Sequence, residues 1–351
     1  MTRADHRRVP RPRGSPGTVC PRSHTAPRVV GHRLAWHAPV ALGLWLVAIS
    51  LGDGSASAAD LVTHTEPGRI IVTEATGAPV AQFVFADGAI GRPALRELHA
   101  PGGVLVTRPY PPRPGIDADD HATMHPGLML CFSDLSGADP WRHKTAVRVV
   151  DCVSEPSPAG KPTMSCTSEY LDTPIDSPAA GVVCRERSRI MLADQTLAGH
   201  PVRVVVWEGE ITAADKAVVF GDVEEMGLGI RLVANLARRG GGRYLADHGG
   251  VNEQGVFGTR AAWVDAAGDI GGARVGVLVI PGPGTPCRFH ARDTGWLLAN
   301  PFGGRVYGAA EPGGATLAPG ATRVLRFLLV LHGSLPDEAL PQIAAAAASV
   351  R

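Results

Sequence analysis

The sequence predicts an all-β protein: a large antiparallel β-sandwich, closed by a short C-terminal helix. Three observations carry this. Short runs rich in Val, Ile, Leu and aromatic residues recur at close spacing, each bounded by turn residues. Glycine and proline number 43 and 30 in 351 residues, so the chain turns often. Apolar residues at helical spacing over a helix's length are scarce.

Taken in order, Arg69–Glu74 and Val80–Ala86 are β-rich runs split by Ala75–Pro79, the pattern of a hairpin. Arg96–His99 and Gly103–Thr107 form a second pair around Pro101-Gly102-Gly103. The proline-rich run Pro109–Asp120 has too few ladder donors for a central strand and is expected to be a loop that delivers the chain to His121. Strands are predicted at Leu128–Phe132 and Ala146–Val153. Residues 154–180, rich in Pro, Ser and Thr, are expected to be a surface insert. Further strands are expected at Val182–Leu192, Pro201–Ile211, Ala217–Phe220 and Met226–Leu236. The Gly-rich residues 237–256 are expected to form a loop. Strands resume at Gly258–Val264, Ala273–Ile280, Gly295–Ala299 and Thr322–His332, before an Ala-rich helix over 336–350. No linker divides residues 59–351, which are read as one domain.

The N-terminus is a separate piece. Residues 1–37 carry eight Arg and one acid, Asp5. Ala38–Leu51 is a short apolar run, followed by Ser55-Ala56-Ser57-Ala58. A basic segment, an apolar run and an Ala-x-Ala site predict a signal peptide over 1–58 and a periplasmic or secreted protein. The run is too short for a comfortable membrane span, and the mature chain has no other candidate. Removing 1–58 takes away eight Arg and two acids, so the formal charge moves from +1 to about −5. With no basic stripe left, a nucleic-acid partner is not expected. Export permits disulfides, and a Cys166–Cys184 or Cys152–Cys184 bridge would close the insert. Cys20 goes with the signal peptide, and the five cysteines that remain leave a free thiol such as Cys131. No CxxC pair is present for a zinc–thiolate site.

Titratable groups gather at three places. His121 and His125 stand four apart after Asp117, Asp119 and Asp120, and Pro126 stops any longer helix, so a loop or single turn is expected. On a strand, Glu225, Gly227, Gly229 and Arg231 share one face, opposite the apolar Leu228, Ile230 and Leu232. Bare glycines beside a charge admit something flat, a sugar ring or an indole. His290, Arg292, Thr294 and Trp296 alternate likewise, with Asp293 on the other side and Asn300 beyond. An aromatic with Arg, His and Asn suits a carbohydrate: stacking on the ring and hydrogen bonds to hydroxyls. Trp263 would add a wall. No GxSxG nucleophile elbow, HExxH helix or phosphate loop is present, and neither a metal site nor a cofactor is expected.

Together the runs DHATMHPGL, FSDLSGADPWR, EEMGLGIRL, GVNEQGVFGTRAAWVD and RDTGWLLANPFG resemble the DUF6807 family of exported bacterial proteins, over nearly all of 66–335. The resemblance implies a sandwich of galactose-mutarotase type, whose concave sheet face binds sugars and uses His and Glu as acid and base. The matching positions are His121, His125 and Glu225, with Arg231, His290, Arg292 and Asp293 around them. Two departures stand out: Pro126 where Arg is frequent, and Asp-Thr-Gly at 293–295 in place of Asp-Tyr-Gly, which removes an aromatic hydroxyl. Family members commonly carry a methane oxygenase label. A membrane subunit of that kind needs several helices of about 20 apolar residues.

Three functions follow as expectations. The first is a carbohydrate-active protein doing acid/base chemistry on a small saccharide, with His121 or His125 as base, Glu225 or Asp293 as acid partner, and Arg231, Trp263, His290, Arg292, Trp296 and Asn300 holding the ligand. The second is a sugar-binding module without catalysis, and the third a metal-dependent oxygenase.

Overall fold

The computed structural model describes residues 60–156, 161–177 and 179–350; the expected signal peptide lies outside the described residues. In chain order the strands are β1 (Leu61–Glu66), β2 (Arg69–Glu74), β3 (Pro79–Val84), β4 (Ala94–Arg96), β5 (His99–Ala100), β6 (Val104–Leu105), β7 (Leu128–Phe132), β8 (Val147–Glu155), β9 (Thr163–Leu171) and β10 (Val182–Leu197). They continue with β11 (His200–Ala213), β12 (Val218–Phe220), β13 (Met226–Arg231), β14 (Arg243–Ala246), β15 (Val264–Ile270), β16 (Ala273–Pro281), β17 (Arg288–Arg292), β18 (Trp296–Asn300), β19 (Ala315–Leu317) and β20 (Thr322–His332). The α-helices are α1 (Asn252–Val256) and α2 (Leu340–Ala347).

Two eight-stranded sheets make the sandwich. The first runs β1-β2-β3-β4-β7-β13-β18-β17, the second β14-β15-β16-β20-β11-β10-β9-β8. Pairing is antiparallel in both. Alternation assigns the faces. Leu128, Leu130 and Phe132 of β7, Leu228 and Ile230 of β13 and Phe289 of β17 turn into the core. They meet Ile190, Leu192, Val205, Trp207, Phe327 and Leu329 from the second sheet. The intervening residues of β7, β13, β17 and β18 therefore face outward on the first sheet, where the site lies. The outer face of the second sheet is covered by α2, whose Leu340, Ile343, Ala344 and Ala347 pack on Val204, Leu278, Leu328 and Val330. Pro341 sits in the first turn of α2, where a missing N–H costs nothing. Among the described residues no helix is long and apolar enough to cross a membrane.

The hairpin β2–β3, the β5–β6 pair and the span of β20 agree with the sequence reading. Several elements differ. Residues 163–171 are not surface insert but strand β9, buried between β8 and β10. Its Ser and Thr residues look like loop, yet Met164, Cys166 and Tyr170 alternate into the core. The disulfide changes with it. In the β8–β9 register Cys152 stands opposite Cys166, and those two are bonded. Cys184 is free and buried, as are Cys131 and Cys287. The expected strand at Met226–Leu236 stops at Arg231, and Ala234–Leu236 is a 3-10 turn. The 237–256 stretch contains β14 and α1. The strand placed at Gly258–Val264 begins only at Val264. β1, β17 and β19 have no counterpart among the expected strands, and α2 is shorter than 336–350.

Ile343 is fully buried beneath α2. Ile343→Ala is expected to lower the free energy of unfolding by about 2–5 kcal/mol in urea titration, because it leaves a cavity under the helix. A loss within error would mean that α2 does not seal this face.

Candidate functional site

A cleft of ≈ 250 Å³ opens on the outer face of the first sheet. It is lined by Asp120, His121, Met124, His125, Arg142, Glu224, Glu225, Arg231, His290, Arg292, Thr294 and Trp296. Seven of the ten residues singled out in the sequence meet there: His121, His125, Glu225, Arg231, His290, Arg292 and Trp296. Both histidines of the 121–125 pair face the same cleft.

The histidine segment is one helical turn. The His121 carbonyl accepts hydrogen bonds from the N–H groups of Met124 (3.1 Å) and His125 (2.8 Å), and Pro126 prevents continuation. A buried guanidinium holds the loop. Arg108 donates to the carbonyls of Ala118 (2.6 Å), Asp120 (2.9 Å) and His125 (3.1 Å). Burial and the charge of Arg231 lower the Arg108 pKa to about 10. His121, with φ of 51°, turns back so that its Nδ1 lies 3.1 Å from Asp120 Oδ2. The other Asp120 oxygen accepts from Arg231, a residue 1% exposed. Burial works to raise the Asp120 pKa, but Arg231 and the contact with His121 hold it below the usual carboxylate range.

His125 is the floor. Its ring stacks on Trp296 at 3.8 Å and 6°, and meets the edge of Trp141 at 5.6 Å. The stack needs Gly229. A Cβ there would fall inside van der Waals contact with the Trp296 ring. The flat group admitted by the glycines is thus the protein's own indole. Trp296 is 1% exposed, so it offers no platform for a sugar, contrary to the expectation from sequence. Burial first, then the charges of Arg231, His121, Arg92 and Arg108, push the His125 pKa down to about 2. Neither ring nitrogen has a hydrogen-bond partner; Glu225 Oε1 is 3.8 Å from Nε2, beyond hydrogen-bond reach.

His290 repeats the arrangement on β17. Arg292 Nε donates to His290 Nε2 at 3.1 Å, which assigns the proton to Nδ1. Nδ1 has no hydrogen-bond partner and lies 3.6 Å from Glu224 Oε2. Burial and the charge of Arg292 lower the His290 pKa to about 4. Arg292 also donates to Glu224 (3.2 Å) and Glu253 (2.9 Å) and lies over Phe257. Arg142 reaches in from the loop after Trp141 and binds Glu225 at 2.5 Å.

Three expected residues are elsewhere. Trp263 packs in the apolar cluster under α2, on the second sheet. Asp293 accepts the Glu253 N–H (3.1 Å) and donates its own N–H to Glu253 Oε2 (2.9 Å), fixing α1 outside the cleft. Asn300 is buried and supports the site from behind: its amide donates to the carbonyls of Val223 (2.9 Å) and Glu224 (3.0 Å). Sequence reasoning missed Glu224 and Arg142 as lining residues. Strict alternation admitted Glu225 alone, but β13 begins only at Met226, so both glutamates precede the strand and both reach the cleft. Arg142 lies within the run FSDLSGADPWR; nothing short of the fold brings it near Glu225. Among the described residues no group of three or more His, Cys, Asp or Glu is arranged to hold a metal ion.

Two expectations test this geometry. Gly229→Ala is expected to cost about 1–3 kcal/mol by overpacking and to alter the near-ultraviolet tryptophan signal; an unchanged spectrum would remove the stack from its central place. The two buried imidazoles titrate below their unfolded value of about 6.5, so their neutral forms stabilise the fold fully above that pH. The contribution is lost as pH falls towards about 4 for His290 and about 2 for His125. Tm should drop between pH 7 and pH 4, and less steeply in His290→Gln; equal slopes would contradict the assignment.

A search among curated proteins found none that matches the chain. A family model does match, over residues 71–345, a span that contains every residue lining the cleft. The chain belongs to that family, DUF6807, a family of unknown function.

Proposed function

We propose that the cleft binds a small saccharide and carries out proton transfer on it. One observation carries this reading: four residues of the lining present buried polar atoms without partners. They are both ring nitrogens of His125, His290 Nδ1, Trp296 Nε1 and Arg231 Nε. Buried polar groups are normally paired, and an unpaired one costs about 1–3 kcal/mol. A hydroxyl-rich ligand offers the missing partners.

The roles differ from those expected at first. An imidazole whose conjugate acid has a pKa near 2 is a poor proton acceptor, so His125 acts as a neutral hydrogen-bonding group, as does His290. The proton-accepting part falls to Glu225, with Glu224 at the second imidazole. Arg142 and Arg292 hold Glu225 and Glu224 in place, and Arg231 holds Asp120. Asp293, Trp263 and Asn300 have no direct part. The same reading takes the protein to be exported, in keeping with its basic and apolar N-terminal sequence and with the Cys152–Cys166 disulfide.

A thermal-shift screen of the purified protein against a broad saccharide panel is expected to give at least one clear rise in Tm, with product formed from that ligand. Glu225→Gln should then lower turnover about 10²- to 10⁴-fold while retaining binding. No shift with any saccharide would end the proposal. Binding without any product would leave the non-catalytic module as the correct reading.

A further inference from the structure

The charges of the cleft point to which saccharides it accepts. Its lining holds three guanidinium groups and three carboxylates, each cation on an anion: Arg231 on Asp120, Arg142 on Glu225, Arg292 on Glu224. An anionic ligand finds no spare cation. To bind Arg142 it would have to displace Glu225, whose side chain is only 16% exposed, and strand that carboxylate beside His125. Arg142 itself is 44% exposed, so exchanging one carboxylate for another gains little, while the displaced Glu225 and the ligand anion would repel each other.

The imidazoles carry the complementary feature. Two gaps remain, His125 Nε2 to Glu225 Oε1 at 3.8 Å and His290 Nδ1 to Glu224 Oε2 at 3.6 Å. Both are too long for a hydrogen bond and short enough for one oxygen to bridge. Each sets a ring nitrogen against a carboxylate oxygen. A hydroxyl donates one hydrogen bond and accepts another, so it fits such a gap; a ligand carboxylate only accepts and would face the glutamate. The rings stay uncharged on burial, so they add no positive charge to recruit an anion.

We propose that the ligand is an uncharged polyhydroxy compound, a neutral sugar or its glycoside, held through two hydroxyls, one in each imidazole–glutamate gap. This rests on the saccharide reading above and narrows it from saccharides at large to those without a carboxylate or phosphate.

The test compares matched pairs by calorimetry on the intact protein: glucose with glucuronate and glucose 6-phosphate, galactose with galacturonate, and the methyl glycosides with their uronate forms. The neutral member is expected to bind at least about tenfold more tightly in one pair, with an affinity nearly independent of salt. Glu225→Gln frees Arg142, and should shift the preference about tenfold towards the uronate. Tighter binding of a uronate or phosphate by the wild type, weakening with salt, would overturn this proposal while leaving saccharide binding intact. Binding of none of these compounds would overturn it, and the wider reading as well if the rest of the saccharide panel also failed.

Discussion

The stack of His125 on Trp296 is the contact on which the site depends. It joins two distant parts of the chain, the loop before β7 and the first residue of β18, across the strand between them. β13 permits it by presenting Gly229 where any side chain would collide with the indole. It also sets the chemistry of His125. An imidazole pressed on an indole, with the guanidiniums of Arg231, Arg92 and Arg108 near it, takes up a proton only at a large cost and stays neutral. Packing and acid–base character are therefore one constraint here. A change that loosens the stack would restore basicity to His125 and open the floor of the cleft together.

Around that floor, hydrogen bonds to backbone carbonyls and one ion pair do the holding. Arg108 ties three carbonyls of the 118–125 segment, and Arg231 anchors Asp120 from the sheet. Both guanidiniums are almost fully buried, so their fork geometry is fixed by packing before any ligand arrives. On the other side Asn300 and the Tyr307 hydroxyl hold the Glu224 carbonyl, at 3.0 and 2.5 Å. The two carboxylates thus come from a segment pinned at its backbone, which is how a site on connecting residues can keep the position that a strand would give.

Much of this was legible in the sequence, and the rest fails for identifiable reasons. Alternation on 226–231 assigned the faces of β13 correctly, because Leu228 and Ile230 leave no doubt which side is buried. Proline at 126 limited the histidines to one turn. Composition misled at β9, where serine and threonine fill an interior strand whose backbone is paired on both sides; composition reports the side chains and says nothing of the ladder. Trp263 misled for a similar reason. A tryptophan two residues before Asp265 looks like a wall of a site, but the nearby C-terminal helix gives it an apolar surface to cover. Arg142 and Glu225 lie 83 residues apart, and their meeting is a property of the fold.

The location of the cleft follows from what covers each sheet. The inner faces are spent on the common core. On the second sheet, α2 seals part of the outer face, and the rest is crossed by side-chain pairs such as Arg185 with Glu169 and Arg189 with Glu155. On the first sheet the outer face carries only a small apolar cluster around Met129, Trp141 and Trp296, roofed by loops. Loops can supply polar groups at a sheet face that a packed helix would exclude, because a helix must bury an apolar stripe to stay in place. The 109–125 loop and the loop bearing Arg142 bring Asp120, His121, His125 and Arg142 over strands that contribute Arg231, His290 and Arg292. The cleft lies where the sandwich has a sheet face covered by loops, and its polar character is a consequence of that covering.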